Sequence, residues 1–250
     1  MGDIVAIGGG ELAEHETLPI DREIVSLTGV DDPAALFIPT ASDDGAGYIE
    51  TFHQVYGREL GCDTDVLRLV EHEPSTEEVR ETIAAADLVY VGGGNTRKMM
   101  RLWNEHGADD LLREAYRDGT VLSGLSAGAI CWFEAGHSDS ESYETDGEWE
   151  YIRVDGLGLV EDVLFCPHYH AEEREEPFRT FMKQYPGKTG LAVDDGAAVH
   201  VRGDRFRILA AGNDPAVYRV TAEKNGVQEE RLEADGFREL SSLQSGSGRS

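Results

Sequence analysis

Three short runs in this chain combine residue types able to carry out acyl transfer. They are Gly124-Leu125-Ser126-Ala127-Gly128, Cys166-Pro167-His168-Tyr169-His170 and Val193-Asp194-Asp195-Gly196. The first is a G-x-S-x-G pattern set between an apolar, β-branched run and an apolar segment of helical character. So sharp a turn from strand to helix holds its serine in a strained conformation with Oγ exposed, and small neighbours keep the two elements from colliding. The same geometry aims the Ala127 amide, with a helix N-terminus behind it, at the place where an oxyanion would form. Glycine-rich strand ends with a serine also occur as packing turns or anion sites, so the pattern gains meaning only from a base and an acid beside it.

His168 is the candidate base. "VLFCPHYH" is an apolar strand ending in Pro167-His168, which puts an imidazole at a strand terminus, where open α/β sheets build their sites. His15, His53, His72, His106 and His137 fall in loops or on wet faces, and His200 lies in a late strand. His168 and His170 could share a strand face and hold a metal, but no third ligand accompanies them; neither a metal nor an organic cofactor is expected. The acid must fix the tautomer of the imidazole. "GLAVDDGAAV" ends another apolar strand in Asp194 and Asp195. Successive side chains alternate, so only one can face the histidine, and Asp195, next to the glycine turn, is the choice. Asp139 and Glu141 in the acidic loop "GHSDSESYETDGEWE" compete for that role, against the plainer reading of a solvated loop. "YVGGGNT" supplies a second glycine turn whose bare amides can complete an oxyanion hole. Its spacing does not meet the G-x-G-x-x-G of dinucleotide folds. A third cluster, Gly8 to Gly10, closes the first strand near the site without an assigned role.

Such residues must be brought to one edge by strands that end together. "DIVAI", "ALFIPT", "TDVLRLV", "DLVYVGGG" and "TVLSGLS" read as strands too continuously apolar to have one wet face. Helices lie between them: "PSTEEVRETIAAA" carries a capping box, Ser75 with Glu78, and "NTRKMMRLWNEHG" ends on a glycine suited to a C-cap. Alternation of strand and helix predicts an α/β three-layer sandwich with a mainly parallel sheet. After about residue 185 the pattern changes to strand, turn, strand, with Gly203-Asp204 and Asn225-Gly226 as turns, predicting antiparallel hairpins at one edge of the main sheet. Residues 1–240 read as one domain and "SSLQSGSGRS", 241–250, as a flexible tail.

Composition narrows the function class. Against 49 acidic residues stand 22 basic ones, a formal charge of −27, which leaves no Lys/Arg stripe to replace phosphate counterions and excludes nucleic acid as a partner. Only four of the basic residues are lysine, and the acids run along the whole chain, as in a salt-adapted, halophilic protein whose surface repels itself at low ionic strength. Three cysteines without a C-x-x-C pair fit a reducing compartment. The N-terminus makes a poor signal peptide and no run is long enough to cross a bilayer, so a cytoplasmic protein, monomer or homodimer, is expected.

Together "GGGNT" (92–96), "GLSAGAICWFE" (124–134), "CPHYH" (166–170) and "LAVDDGAA" (191–198) resemble the peptidase E family of serine peptidases, the aspartyl dipeptidases, with cyanophycinase as a relative. The likeness runs from about residue 3 to about residue 220. It implies a fold similar to class I glutamine amidotransferases, with serine in place of their cysteine. It also implies Ser126 as nucleophile and His168 as base, with the oxyanion held by Gly93, Gly94 and Ala127. Some members carry glutamate at the place matching Asp195 and others use an acid in the loop after the nucleophile helix, which keeps Asp139 open. The order Ser126, His168, Asp195 differs from the serine, acid, histidine order of α/β-hydrolases. The resemblance also implies a cation after the histidine for a substrate carboxylate. Arg174 stands near that position and Arg179 beyond it; the competing reading of an arginine among four glutamates is surface pairing. Asn95 and Arg174 are the substrate-binding candidates. The expected activity is hydrolysis of short peptides, including dipeptides with N-terminal Asp, through an acyl-enzyme. An amidohydrolase or glutamine-amidotransferase-like protein acting on a non-peptide amide, or a non-catalytic ligand-binding relative, are the alternatives.

Overall fold

Alternation along Asp3–Ile7 sends Ile4 and Ala6 to one side of a sheet and Val5 and Ile7 to the other, and all four are fully buried. A strand buried on both faces needs cover on both, and the computed structural model, which describes residues 1–212, 214–223, 226–233 and 236–244, supplies it. The strands are β1 (Asp3–Ile7), β2 (Ala34–Ile38), β3 (Asp63–Val66), β4 (Leu88–Val91), β5 (Val121–Leu125), β6 (Phe133–Ser138) and β7 (Ile152–Asp155), then β8 (Val160–Cys166), β9 (Thr189–Val193), β10 (Ala197–Arg202), β11 (Arg205–Ala210), β12 (Val217–Glu223), β13 (Gly226–Leu232) and β14 (Arg238–Glu239). One sheet has the order β14-β11-β10-β1-β5-β4-β2-β3, parallel from β1 to β3 and antiparallel from β1 to β14. The second has the order β13-β12-β9-β8-β6-β7, with β6, β8 and β9 parallel.

The α/β class and the mainly parallel sheet agree with the sequence reading. The placement of the late hairpins does not: β10–β11 extends the first sheet beside β1, whereas β12–β13 pairs with β9 in the second. The hairpins share one sequence signature, and the partner strand, which decides the sheet, lies outside it. Gly203 makes the first hairpin turn at φ 58°, while Asn225 of the second lies outside the described residues.

The helices are α1 (Leu18–Leu27), α2 (Ala46–Phe52), α3 (Thr76–Ala84), α4 (Thr96–His106), α5 (Ala108–Asp118), α6 (Ala127–Ile130), α7 (Glu175–Met182) and α8 (Ser241–Gln244). The capping box of α3 is formed, Ser75 and Glu78 satisfying each other's amides, and Gly107 ends α4 at φ 72°. One core joins Ile4, Leu36 and Val89 to Trp103, Leu112, Phe165 and Leu191, packing the inner faces of both sheets around α3 to α6. A second sets Val5, Ile7, Phe37 and Tyr90 against Ile24 and Phe52 of α1 and α2; a third sets Leu164 and Ala192 against Phe178 and Met182 of α7. Each Val, Leu, Ile, Phe or Met side chain so removed from water stabilises the fold by roughly 1.5–3 kcal/mol. Ser241–Gln244, expected to be tail, forms a helical turn because Leu243 is buried and its carbonyl accepts from Thr189 Oγ1 at 2.9 Å; 245–250 lie outside the described residues. Among the described residues no helix is long and apolar enough to cross a membrane.

Candidate active site

From Val121 to Phe133 every residue is buried except Ser126. That serine joins β5 to α6 at φ 55°, ψ −111°, a strained conformation for a side chain of its kind. The flanking glycines explain how the turn fits. A methyl on Gly124 would stand 2.2 Å from the carbonyl oxygen of Gly128, and one on Gly128 would stand 2.1 Å from that of Val91. Only glycine at both positions lets the short helix pack on the strands, and the serine is left as the side chain that can point outward.

The other two members come from the second sheet. His168 follows β8 and Asp195 follows β9, and His168 Nδ1 lies 2.7 Å from Asp195 Oδ1. A carboxylate can only accept, so Nδ1 carries the proton and Nε2 of the neutral ring is an acceptor. The neighbouring carboxylate turns away: Asp194 Oδ1 lies 2.7 Å from His170 Nδ1, and its Oδ2 accepts from the Ala216 amide at 3.2 Å. Side-chain alternation thus sends Asp195 to His168 and Asp194 to His170.

The end of β1 holds the two sheets in register. The Ile7 carbonyl accepts from the Ser126 amide at 3.0 Å, that of Gly8 from the His168 amide at 3.2 Å and that of Gly9 from the Gly196 amide at 2.9 Å. A methyl on Gly9 would fall 2.0 Å from Asp195 Oδ1 and 2.3 Å from His168 Nδ1. The cluster Gly8 to Gly10, to which sequence reasoning gave no role, is therefore the seat of the histidine–carboxylate pair. Its signal was present as three glycines after a first strand, but its target is remote in sequence.

Ser126, His168, Asp195, Gly93 and Gly94 line one cavity of about 390 Å³, with Glu11, Glu16, Tyr48, Asp139, Tyr143 and Glu172 among its other walls. A methyl on Gly93 would lie 3.5 Å from Ser126 Cβ, so the β4–α4 glycine loop borders the serine. Ala127 is buried beneath it as the first residue of α6. Asn95 lies outside this lining: its Oδ1 accepts from the Lys98 amide at 2.9 Å, capping α4, and its Nδ2 donates to Glu144 at 3.4 Å.

Arg174 answers to neither of its sequence readings. It is 1 % exposed, so it is not a surface pair, and it does not line the cavity. Its Nε donates to Glu172 at 2.8 Å, its Nη1 to the His137 carbonyl at 3.0 Å, and its guanidinium covers the Tyr151 ring at 4.7 Å. Asp139, the competing acid, lies 3.6 Å from this guanidinium and has no hydrogen bond to His168 among the described residues. Burial pushes its carboxyl above the usual range, and the charge of Arg174 works against that shift. His137, expected on a wet face, is buried in β6 and stacked on Tyr151; burial, reinforced by the charge of Arg174, lowers it to about 3. Arg179 is engaged elsewhere, with Glu229 at 2.7 Å. Among the described residues no three His, Cys, Asp or Glu side chains converge on a metal position.

Comparison with known proteins identifies the family and the fold. The pattern of Peptidase family S51 matches residues 4–209. The uncharacterized peptidase YgaJ of Bacillus subtilis (strain 168) is 35% identical over 232 residues, which cover 92% of this chain and 96% of that protein. The cyanophycinase of Trichormus variabilis is 25% identical over 217 residues, 84% of this chain and 71% of that one. Among solved structures, a peptidase from an acI-B1 Actinobacterium superposes with a TM-score of 0.69 at 21% identity, covering 96% of this chain and 97% of that one. This last likeness shows the shared fold.

Proposed function

Because the chain belongs to peptidase family S51 and is a serine-type peptidase, we propose that Ser126, His168 and Asp195 are its catalytic triad and that it cleaves short peptides. The observation that carries this reading is the 2.7 Å contact of His168 with Asp195 beside the same cavity as the positive-φ serine. In the first half-reaction Ser126 Oγ attacks the scissile carbonyl carbon while His168 Nε2 takes its proton. The oxyanion is held by the amide of Ala127 and the amides of the Gly93-Gly94 loop. The C–N bond then breaks as the imidazolium returns the proton to the departing amine. Water attacks the acyl-enzyme, gives its proton to His168, and the peptide acid leaves as Ser126 regains a proton. Asp195 keeps the imidazole in the competent tautomer and stabilises its charged form.

The resemblance to aspartyl dipeptidases implies an N-terminal Asp substrate, with Arg174 as the candidate cation for its carboxylate. With that guanidinium sealed behind Glu172, no arginine or lysine among the described residues lines the cavity to support such a preference. The acid-rich composition supports operation in concentrated salt, and three buried free cysteines suit a reducing, cytoplasmic setting. A dipeptide-library assay in molar KCl with Ser126→Ala as control tests the activity. Cleavage by the wild type alone is expected; turnover of simple amides without peptides would move the protein to the amidohydrolases.

A further inference from the structure

The walls of the Ser126 cavity carry Glu11, Glu16, Asp139 and Glu172, besides the triad's Asp195, and His168 is the one basic side chain among the described lining residues. The acids stand in two groups. Glu11 and Glu16 lie in the turn after β1, and the Glu16 carboxylate is fixed by accepting the Glu11 amide at 2.8 Å. Among the described residues no Lys, Arg or His side-chain nitrogen lies within 4.0 Å of either carboxylate, and the neighbouring His15 pairs instead with Glu59 at 3.0 Å. In the other group Asp139 and Glu172 share the single guanidinium of Arg174. One cation between two carboxylates leaves that wall negative too, and the buried Arg174 presents no guanidinium to the cavity.

From this arrangement we propose that the peptide's first residue, whose carbonyl Ser126 attacks, is arginine or lysine with a free α-amine; the inference rests on Ser126 being the nucleophile. Such a residue brings two positive charges close to the scissile carbonyl, one for each acidic group. A carboxylate in the same place would meet four like charges with no exposed cation to offset them, in a cavity whose walls screen less than bulk water does. The phenol rings of Tyr48 and Tyr143 in the lining suit the alkyl stem of a long basic side chain and the face of its cation. Glu11 and Glu16 are thus specificity-determining residues: they select on charge and take no part in bond making.

The test measures binding without turnover. Calorimetry on Ser126→Ala compares Arg-Leu, Lys-Leu, Leu-Leu and Asp-Leu at the lowest KCl concentration that keeps the fold intact. Arg-Leu and Lys-Leu are expected to bind at least about tenfold more tightly than Leu-Leu, with Asp-Leu weakest, and the ratio should shrink as KCl screens the walls. Adding Glu16→Gln or Glu11→Gln should narrow the Arg-Leu to Leu-Leu ratio several-fold while the circular dichroism spectrum stays unchanged. Equal binding of the four peptides, an Asp-Leu preference, or no binding by any of them overturns the proposal. Whether wild-type Ser126 reacts with a fluorophosphonate is read separately, so failure of the nucleophile and failure of the charge rule give different results.

Discussion

Two histidine–aspartate pairs sit side by side at the ends of β8 and β9, His168 with Asp195 and His170 with Asp194, and both have the same 2.7 Å contact. Contact geometry alone does not distinguish them. What differs is surroundings: the first pair borders the Ser126 cavity and is seated on Gly9, while the second is turned outward against Tyr218 and Glu175. A histidine–carboxylate pair is a common way to satisfy two polar groups, and it becomes a catalytic device only where a nucleophile shares its space. The comparison makes Asp194 and His170 natural controls for Asp195 and His168.

The largest effect expected separates the two carboxylates. Asp195→Asn keeps the shape but allows the wrong tautomer, and kcat should fall by up to about four decades, as it does in other serine triads. Asp194→Asn, which keeps one acceptor oxygen but puts an NH2 group where the other accepts from the Ala216 or the His170 amide, should lower stability and leave kcat within about threefold. Comparable losses from both would erase the distinction, and a large loss from Asp139→Asn instead would move the acid to the loop after the nucleophile helix.

Gly9→Ala sharpens the comparison from below. Its methyl must displace His168 or Asp195 by about an ångström, and such a misplacement costs on the order of 10²-fold in rate. The steady-state kinetics should show this in kcat, with the His170–Asp194 pair untouched in the NMR spectrum of the histidine ring protons.

A third histidine at the same end of the second sheet has no carboxylate partner among the described residues. His137 is buried against Tyr151, Phe178 and Phe181 near Arg174, and its pKa falls from 6.5 to about 3. Protons bind the unfolded chain first, so its stabilising contribution is complete above pH 6.5 and is lost as pH falls from there towards 3. Asp21, pushed up to about 6 by burial against the opposing hydrogen bonds of Tyr56 and Thr17, acts in the other direction. Its contribution is complete below 3.8 and is lost as pH rises towards 6. In urea unfolding between pH 6 and 4, His137→Phe should therefore remove about 1 kcal/mol per pH unit of acid destabilisation. An unchanged slope would show that His137 is not the titrating group.

These contrasts also mark what could be read from the chain alone. The elbow was legible because its cause is local: Gly124, Ser126 and Gly128 meet within one turn. Alternation along a single strand allowed only one of Asp194 and Asp195 to face His168, and the glycine turn beside Asp195 decided the choice. Arg174 was misread because its four neighbouring glutamates suggest a solvated helix, whereas its burial comes from the His137 carbonyl, a contact across 37 residues. His137 and Gly9 escaped for the same reason: β6 is covered by partners on either side, and Gly9 meets groups that only the meeting of two sheets brings to it.

The smallest effect separates fold from chemistry. With a formal charge of −27, raising KCl from about 0.1 to 1 M shortens the Debye length from roughly 10 to 3 Å and should raise Tm by several degrees. The activity ratio of Asp194→Asn to Asp195→Asn should stay fixed over that range. A flat Tm would remove the salt-adapted reading while leaving the triad in place.

Fluorophosphonate labelling followed by peptide mass spectrometry reaches the central claim most directly, because it reports the reactive oxygen without assuming a substrate. The wild type and Asp194→Asn should each be modified at Ser126 alone and at similar rates, with labelling nearly abolished in His168→Ala and strongly slowed in Asp195→Asn. Modification of another serine, or undiminished labelling of Ser126 in His168→Ala, would contradict the triad.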